Sequence, residues 1–90
     1  MNIILSNFGC SLSSRLKGRE VFGLIKSDII IAKKIILDFE NIEIMTMSFG
    51  TELFDSINEY SQAEIEIINA NNFIKGVVNF CRNNVKEMAV

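Results

Sequence analysis

The spacing of apolar positions changes along this chain, and each change marks an element. Asn2 to Leu5 is a short apolar run ahead of a polar stretch containing Ser6, Asn7, Gly9 and serines at 11, 13 and 14. That pattern predicts a first strand and a loop, with Cys10 and Leu12 adding a little extended structure within the loop. From Ser14, a candidate N-cap, the positions Gly18, Val21, Phe22, Ile25 and Ile29 recur at helical spacing and define one buried face. Gly23 sits inside this helix at a cost of roughly 1 kcal/mol against alanine. Ser27 to Ala32 therefore reads either as a frayed helical end or as a connector.

Lys33 to Phe39 predicts the central strand. Its core, Ile35-Ile36-Leu37, is a continuous β-branched and apolar run that ends on Asp38, the signature of a strand buried on both faces. The chain turns at Glu40-Asn41, and Asn41 to Met47 forms an apolar connection with Ile42, Ile44 and Met45 available to the core. Ser48 then opens a second helix that runs to Tyr60, with Phe49, Leu53 and Ile57 along its apolar side. Ala63 to Asn69 alternates Glu64 and Glu66 with Ile65 and Ile67, a strand with one wetter face. Asn71 or Asn72 caps a last helix whose apolar spacing is Ile74, Val77, Val78, Cys81, Val85 and Met88.

Strands alternating with helices predict an α/β fold, a single domain over residues 1–90 in the order β-α-β-α-β-α. The sheet is expected to be mostly parallel or mixed, with three to four strands and about three helices. Right-handed crossovers would bring the three helix starts to one rim. That rim would carry Ser14, Arg15, Arg19, Asp38, Glu40, Met47, Ser48, Phe49 and Glu52, together with the asparagines at 69, 71 and 72. Gly18 is expected where the first helix comes close to the sheet.

Composition narrows the functional classes. Apolar residues make up 49% of the chain, which opposes disorder, and the absence of proline fits a compact unit without a hinge segment. The net charge of −2 argues against a nucleic-acid or anionic-membrane surface. No apolar stretch approaches the ~20 residues of a membrane span. The uncharged first fourteen residues are broken by Asn2, Ser6, Asn7 and Gly9 and lack a basic leader, so a cytoplasmic setting is expected. Cys10 and Cys81 lie far apart and are expected as buried free thiols rather than a bridge. The chain has no histidine, which leaves zinc sites and serine–histidine dyads without their usual parts, and no cofactor is expected.

The stretch LDFENIEIMTMSFGTEL resembles the core of STAS domains, the anti-sigma-factor-antagonist fold. With SSRLKGRE upstream it is closer still to small bacterial STAS-like domains of unassigned function, which share SR…GRE, then LDFE, then SF…EL. The likeness runs from about Phe8 to Val78. It implies a non-enzymatic regulatory protein-interaction module in a bacterial cytoplasm. It further implies a partner of the histidine-kinase-like ATPase kind, the partner binding the ATP. In this resemblance Ser48 matches the serine that such a kinase phosphorylates, while Thr46-Met47 stand where the regulated antagonists have an aspartate–serine pair.

The residues themselves leave alternatives open. Ser48 reads as a phosphorylation point or as a plain helix cap. Arg15 and Arg19, one helical turn apart, form either a fork for a carboxylate or phosphate or an internal network with Asp38, Glu40 and Glu52. Asp38 reads as a nucleophile or metal ligand, or as a carboxylate that caps a helix start or pairs with an arginine. Ile29-Ile30-Ile31, Met45, Met47, Phe49 and Phe54 either fill the core or leave a soft contact surface. Two other classes of function therefore stand beside the regulatory module: a structural homo-oligomer without a switch, and a small hydrolase or phosphotransferase using Asp38.

Overall fold

The computed structural model describes residues 1–89, with side chains described as far as Arg82. Strand β1 (Asn2–Ile4) runs into a 3₁₀ turn (Leu5–Phe8), and strand β2 (Ser11–Leu12) precedes helix α1 (Arg15–Ile29). Strand β3 (Lys34–Asp38), strand β4 (Ile44–Met45), helix α2 (Met47–Tyr60), strand β5 (Glu64–Ile68) and helix α3 (Asn72–Ala89) follow. β1, β3 and β5 form a parallel sheet in the order β1-β3-β5, while β2 and β4 pair in a separate two-stranded parallel ribbon. The fold is thus α/β with three helices and a small parallel sheet.

The central strand departs from expectation on one point. β3 is not buried on both faces: Ile35 and Leu37 are fully buried, whereas Ile36 between them and Asp38 after them are only half-covered. Register explains which face is inside. Ile3 of β1 pairs with Leu37, and Leu37 and Ile35 pair with Ile67 and Ile65 of β5, giving one apolar face. The other face carries exposed Ile4 beside Asp38, and Lys34 near Glu66 at 3.7 Å. A run of three apolar residues can hide a period of two, because Ile36 looks like core in the sequence whatever surrounds it.

The three helices lie side by side, with α2 packed between α1 and α3. Their buried residues, Val21, Ile25 and Ile29 of α1, Phe49, Leu53, Phe54 and Ile57 of α2, and Ile74, Val77, Val78 and Cys81 of α3, close on the sheet's apolar face. Phe22, expected inside, is half-buried and packs at a tilt against Tyr60, with ring centroids 5.3 Å apart. Ile44, offered to the core by the sequence, is half-exposed, whereas Ile42 and Met45 on either side are buried. Val85 and Met88 lie outside the residues whose side chains are described.

Gly18 is a close-approach position, but against a helix rather than the sheet. A Cβ there would lie 3.0 Å from Glu52 Cβ and 3.0 Å from the Phe49 carbonyl oxygen, so the lack of a side chain lets α1 settle onto α2. Gly50 serves the other side of α2, where a Cβ would come within 2.7 Å of Cys81 Sγ. Gly23 faces open space, and α1 passes through it without interruption. Both cysteines are free, but only Cys81 is buried; Cys10 is exposed in the loop before β2.

Candidate functional site

Helix α2 begins two residues earlier than the serine suggests. Its cap is Thr46, whose Oγ1 accepts the Phe49 N–H at 3.3 Å, so that Ser48 becomes the second helical residue. The same oxygen accepts the Ser14 N–H at 3.2 Å, and Ser14 Oγ in turn accepts the Lys17 N–H to cap α1. One hydroxyl therefore fastens two helix starts together. The ribbon holds them in register, since Thr46 donates its N–H to the Leu12 carbonyl at 2.9 Å next to the Leu12–Met45 pair. Ser14 accepts a cost for its place: its φ of 77° lies where residues with a Cβ are strained.

Ser48 is left on the surface by this arrangement. It is exposed and makes no side-chain hydrogen bond to the described residues, because Thr46 has taken the capping role. Met47 beside it is half-exposed, whereas Phe49 is fully buried and belongs to the core, not to a contact rim. One turn beyond Ser48, Glu52 Oε1 accepts from Arg19 Nε at 2.7 Å. The guanidinium is mostly exposed and the carboxylate largely covered, so Arg19 forms the outer lid of the pair. The first turn of α2 holds no acidic residue, leaving its amide dipoles open to an added anion.

The expected rim network does not form as one unit. Arg19 pairs with Glu52, but among the described residues no carboxylate forms an ion pair with Arg15, which is exposed. Among the described residues neither Asp38 nor Glu40 forms an ion pair with an arginine. Asp38 Oδ1 accepts from Asn69 Nδ2 at 3.0 Å and from the Glu40 N–H at 2.9 Å. Those two bonds, the asparagine amide first, hold the Asp38 carboxyl below the usual aspartate range. Asp38 thus ties the turn after β3 to the end of β5, where Asn69 adopts a left-handed φ of 59°. The third helix start has its own link: Asn71 Oδ1 accepts from the Ile74 N–H at 2.8 Å, and its amide reaches the Ile42 carbonyl at 3.4 Å.

Thr46 is the site residue that the apolar spacing does not single out, whereas Asn69 falls among the rim asparagines. Thr46 stands three residues before the first buried aromatic of α2, a cap position as good as Ser48, and the TMS triplet alone does not choose between them. Among the described residues no three cysteine or acidic side chains gather as metal ligands. No helix in that range is long and apolar enough to cross a membrane.

The parallel β-α-β-α-β-α order, with a capped helix start following β3 and its ribbon, is the arrangement of a small STAS-like domain. The model for the STAS-like domain of unknown function (DUF4325) matches residues 17–75, more than half of the chain, and the chain belongs to that family. Comparison with the curated proteins and with the solved structures gives no match.

Proposed function

We propose that this domain is a non-enzymatic regulatory module that binds a protein partner through the surface around the starts of α1 and α2. Ser48 is its switch. The partner is a histidine-kinase-like ATPase that carries the ATP and phosphorylates this serine, and the module works in the cytoplasm. The observation that carries the reading is the division of labour at α2: Thr46 caps the helix, so the exposed Ser48 hydroxyl has no structural task among the described residues. A phosphate there would bring about −1.5 to −2 charges to a helix start whose first turn has no acid. Half-exposed Met47 and exposed Ser14 and Arg15 supply a mixed, adaptable border.

The test is comparative capture from the native host with parent, Ser48→Ala and Ser48→Asp baits, read by quantitative mass spectrometry. A kinase-like ATPase enriched by the first two and lost with the third supports the switch, as does phosphate on Ser48. Equal capture by all three, with no phosphate on Ser48, overturns it.

A homo-oligomer without a switch draws support from Leu16, Leu24 and Ile31, all strongly exposed along and just beyond α1. Sedimentation over a range of concentrations separates it from the module, which this reading expects to stay at one mass. The Asp38 enzyme is disfavoured because Asp38 Oδ1 is already occupied by two bonds that lock a turn.

A further inference from the structure

Strand β5 lies at one edge of the three-stranded sheet. In the β3–β5 ladder the Glu64 N–H donates to the Lys33 carbonyl and the Ile68 carbonyl accepts from the Phe39 N–H. Both ends of β5 therefore turn their bonding groups toward β3, and by alternation Ile65 and Ile67 turn theirs away. Among the described residues the only bond to those outward groups is Arg82 Nη2 to the Ile65 carbonyl, at 3.4 Å. Two amide donors and a carbonyl are left facing a groove of ≈ 640 Å³ between β5 and α3. A native sheet edge in this state is either protected or used.

The groove walls say what would use it. Ile65 and Ile67 are half-buried on the helix side of the sheet, with Val78 of α3 alongside. Lys75 and Arg82, seven residues apart on α3, line the same groove, and among the described residues neither forms an ion pair. Glu66, between the two isoleucines, also borders the groove, but its carboxylate is paired with Lys34 at 3.7 Å. Apart from that paired carboxylate, the groove's charged residues are Lys75 and Arg82, with the apolar Ile65, Ile67 and Val78 also lining it. Lys75 and Arg82 stand about 10 Å apart along the helix axis. Residues i and i+4 of a strand span about 13 Å, a gap that long side chains close.

We propose that β5 takes an extended acidic peptide by strand addition, with the pattern acidic-x-apolar-x-acidic on the side facing α3. The strand's backbone pairs with the Ile65 and Ile67 amides and the Ile67 carbonyl, its central apolar residue packs by Val78, and its two carboxylates meet Lys75 and Arg82. A second copy of this chain fits less well: antiparallel self-pairing centred on Glu66 would set that carboxylate against its own twin. This site is separate from the Ser48 surface and does not depend on it.

The probe is a blocked seven-residue peptide with glutamate second and sixth, valine fourth and threonine elsewhere. Amide exchange followed by NMR on the full chain reads the result. The Ile65 and Ile67 amides should exchange rapidly in the free protein and slow at least tenfold with saturating peptide. N-methylating the peptide backbone on its pairing edge should abolish binding. Lys75→Glu with Arg82→Glu should weaken the glutamate peptide at least tenfold and favour the version with lysine in place of glutamate. Lys75→Glu alone, at an exposed position, carries the same comparison should the double variant fold poorly. The proposal is overturned if both amides are already protected in dilute free protein, or if protection grows with protein concentration and no peptide, which would identify a second copy. Binding that survives N-methylation or ignores charge reversal overturns it equally.

Discussion

The Thr46 hydroxyl accepts the backbone N–H of Ser14 at 3.2 Å, across 32 residues of chain, while also capping its own helix through Phe49. This shared oxygen sets the two helix starts side by side and leaves Ser48 projecting beyond them. Thr46→Val keeps the shape and removes the acceptor, so it should cost about 1–2 kcal/mol. Ser48→Ala removes nothing the fold uses and should stay within about 0.5 kcal/mol of the parent. Urea melts of both variants decide the assignment; the reverse order would return the cap to Ser48.

Ser14 pairs a useful cap with an unfavourable backbone. Its carbonyl accepts from the Gly18 N–H at 3.3 Å and its side chain from Lys17, which together hold φ at 77°. Glycine tolerates that conformation and loses only a few tenths of a kcal/mol as a cap. Alanine loses the cap and keeps the strain. Ser14→Gly should therefore exceed Ser14→Ala in stability by at least about 1 kcal/mol, and equal melts would show that no strain is held there.

Two glycines of α1 should respond in opposite directions. A Cβ on Gly18 would lie 3.0 Å from Glu52 Cβ and from the Phe49 carbonyl oxygen, and a backbone oxygen cannot step aside. Gly18→Val should lose about 1–3 kcal/mol by overpacking, in spite of removing a poor helix former. Gly23 has nothing within 4 Å of its would-be Cβ, so Gly23→Ala should gain about 0.5–1 kcal/mol. Chemical denaturation of the pair gives the sign of each directly, and a stabilising Gly18→Val would mean that α1 and α2 do not meet there.

These elements show what was legible and why. The helical spacing from Val21 to Ile29 and the alternation in Glu64–Ile68 specify helix and strand by themselves, and both stand where the pattern puts them. Ile36 reads as core in the sequence because a hydrophobic residue on an open sheet face has the same letter as a buried one. The helix start at Thr46 was misplaced because threonine and serine two residues apart satisfy the same rule, and only the Ser14 amide, 32 positions away, breaks the tie. Topology alone offers Arg15 either to an anion-binding fork or to an internal network. Which of two arginines reaches Glu52 depends on helix rotation about Gly18, a contact no local pattern encodes.

Asp38 should respond to pH through Asn69. Its folded-state pKa is depressed, mainly by the Asn69 amide and then by the Glu40 N–H. A depressed carboxyl contributes stability above its unfolded value, near ~4, and loses it as pH falls through the lower folded value. Asn69→Ala should raise the Asp38 pKa toward the ordinary range, visible in carboxyl carbon shifts, and shrink the stability difference between pH 7 and pH 3. Arg15→Ala should leave that difference untouched. An Asp38 pKa unmoved in Asn69→Ala would remove the asparagine as the cause.

A negative group on Ser48 enters the reach of a pair already formed. Glu52 lies one turn along α2, and like charges at that spacing repel by about 0.2–0.5 kcal/mol. Arg19, bonded to Glu52 at 2.7 Å and mostly exposed, is placed to share its remaining donors with the newcomer. Ser48→Asp should keep the parent's circular dichroism, because the helix dipole favours an acid in the first turn. With Arg19→Gln in the background the same substitution should become less favourable by a similar few tenths, measured as a double-mutant cycle. Partner binding should separate from folding: Ser48→Ala binds as the parent does, whereas Ser48→Asp weakens at least tenfold, about 1.4 kcal/mol. Titration of both variants against the captured partner supplies the comparison. If Ser48→Asp binds as tightly as the parent while the cycle still shows coupling to Arg19, the charge is sensed by the domain but not by its partner, and the switch is lost.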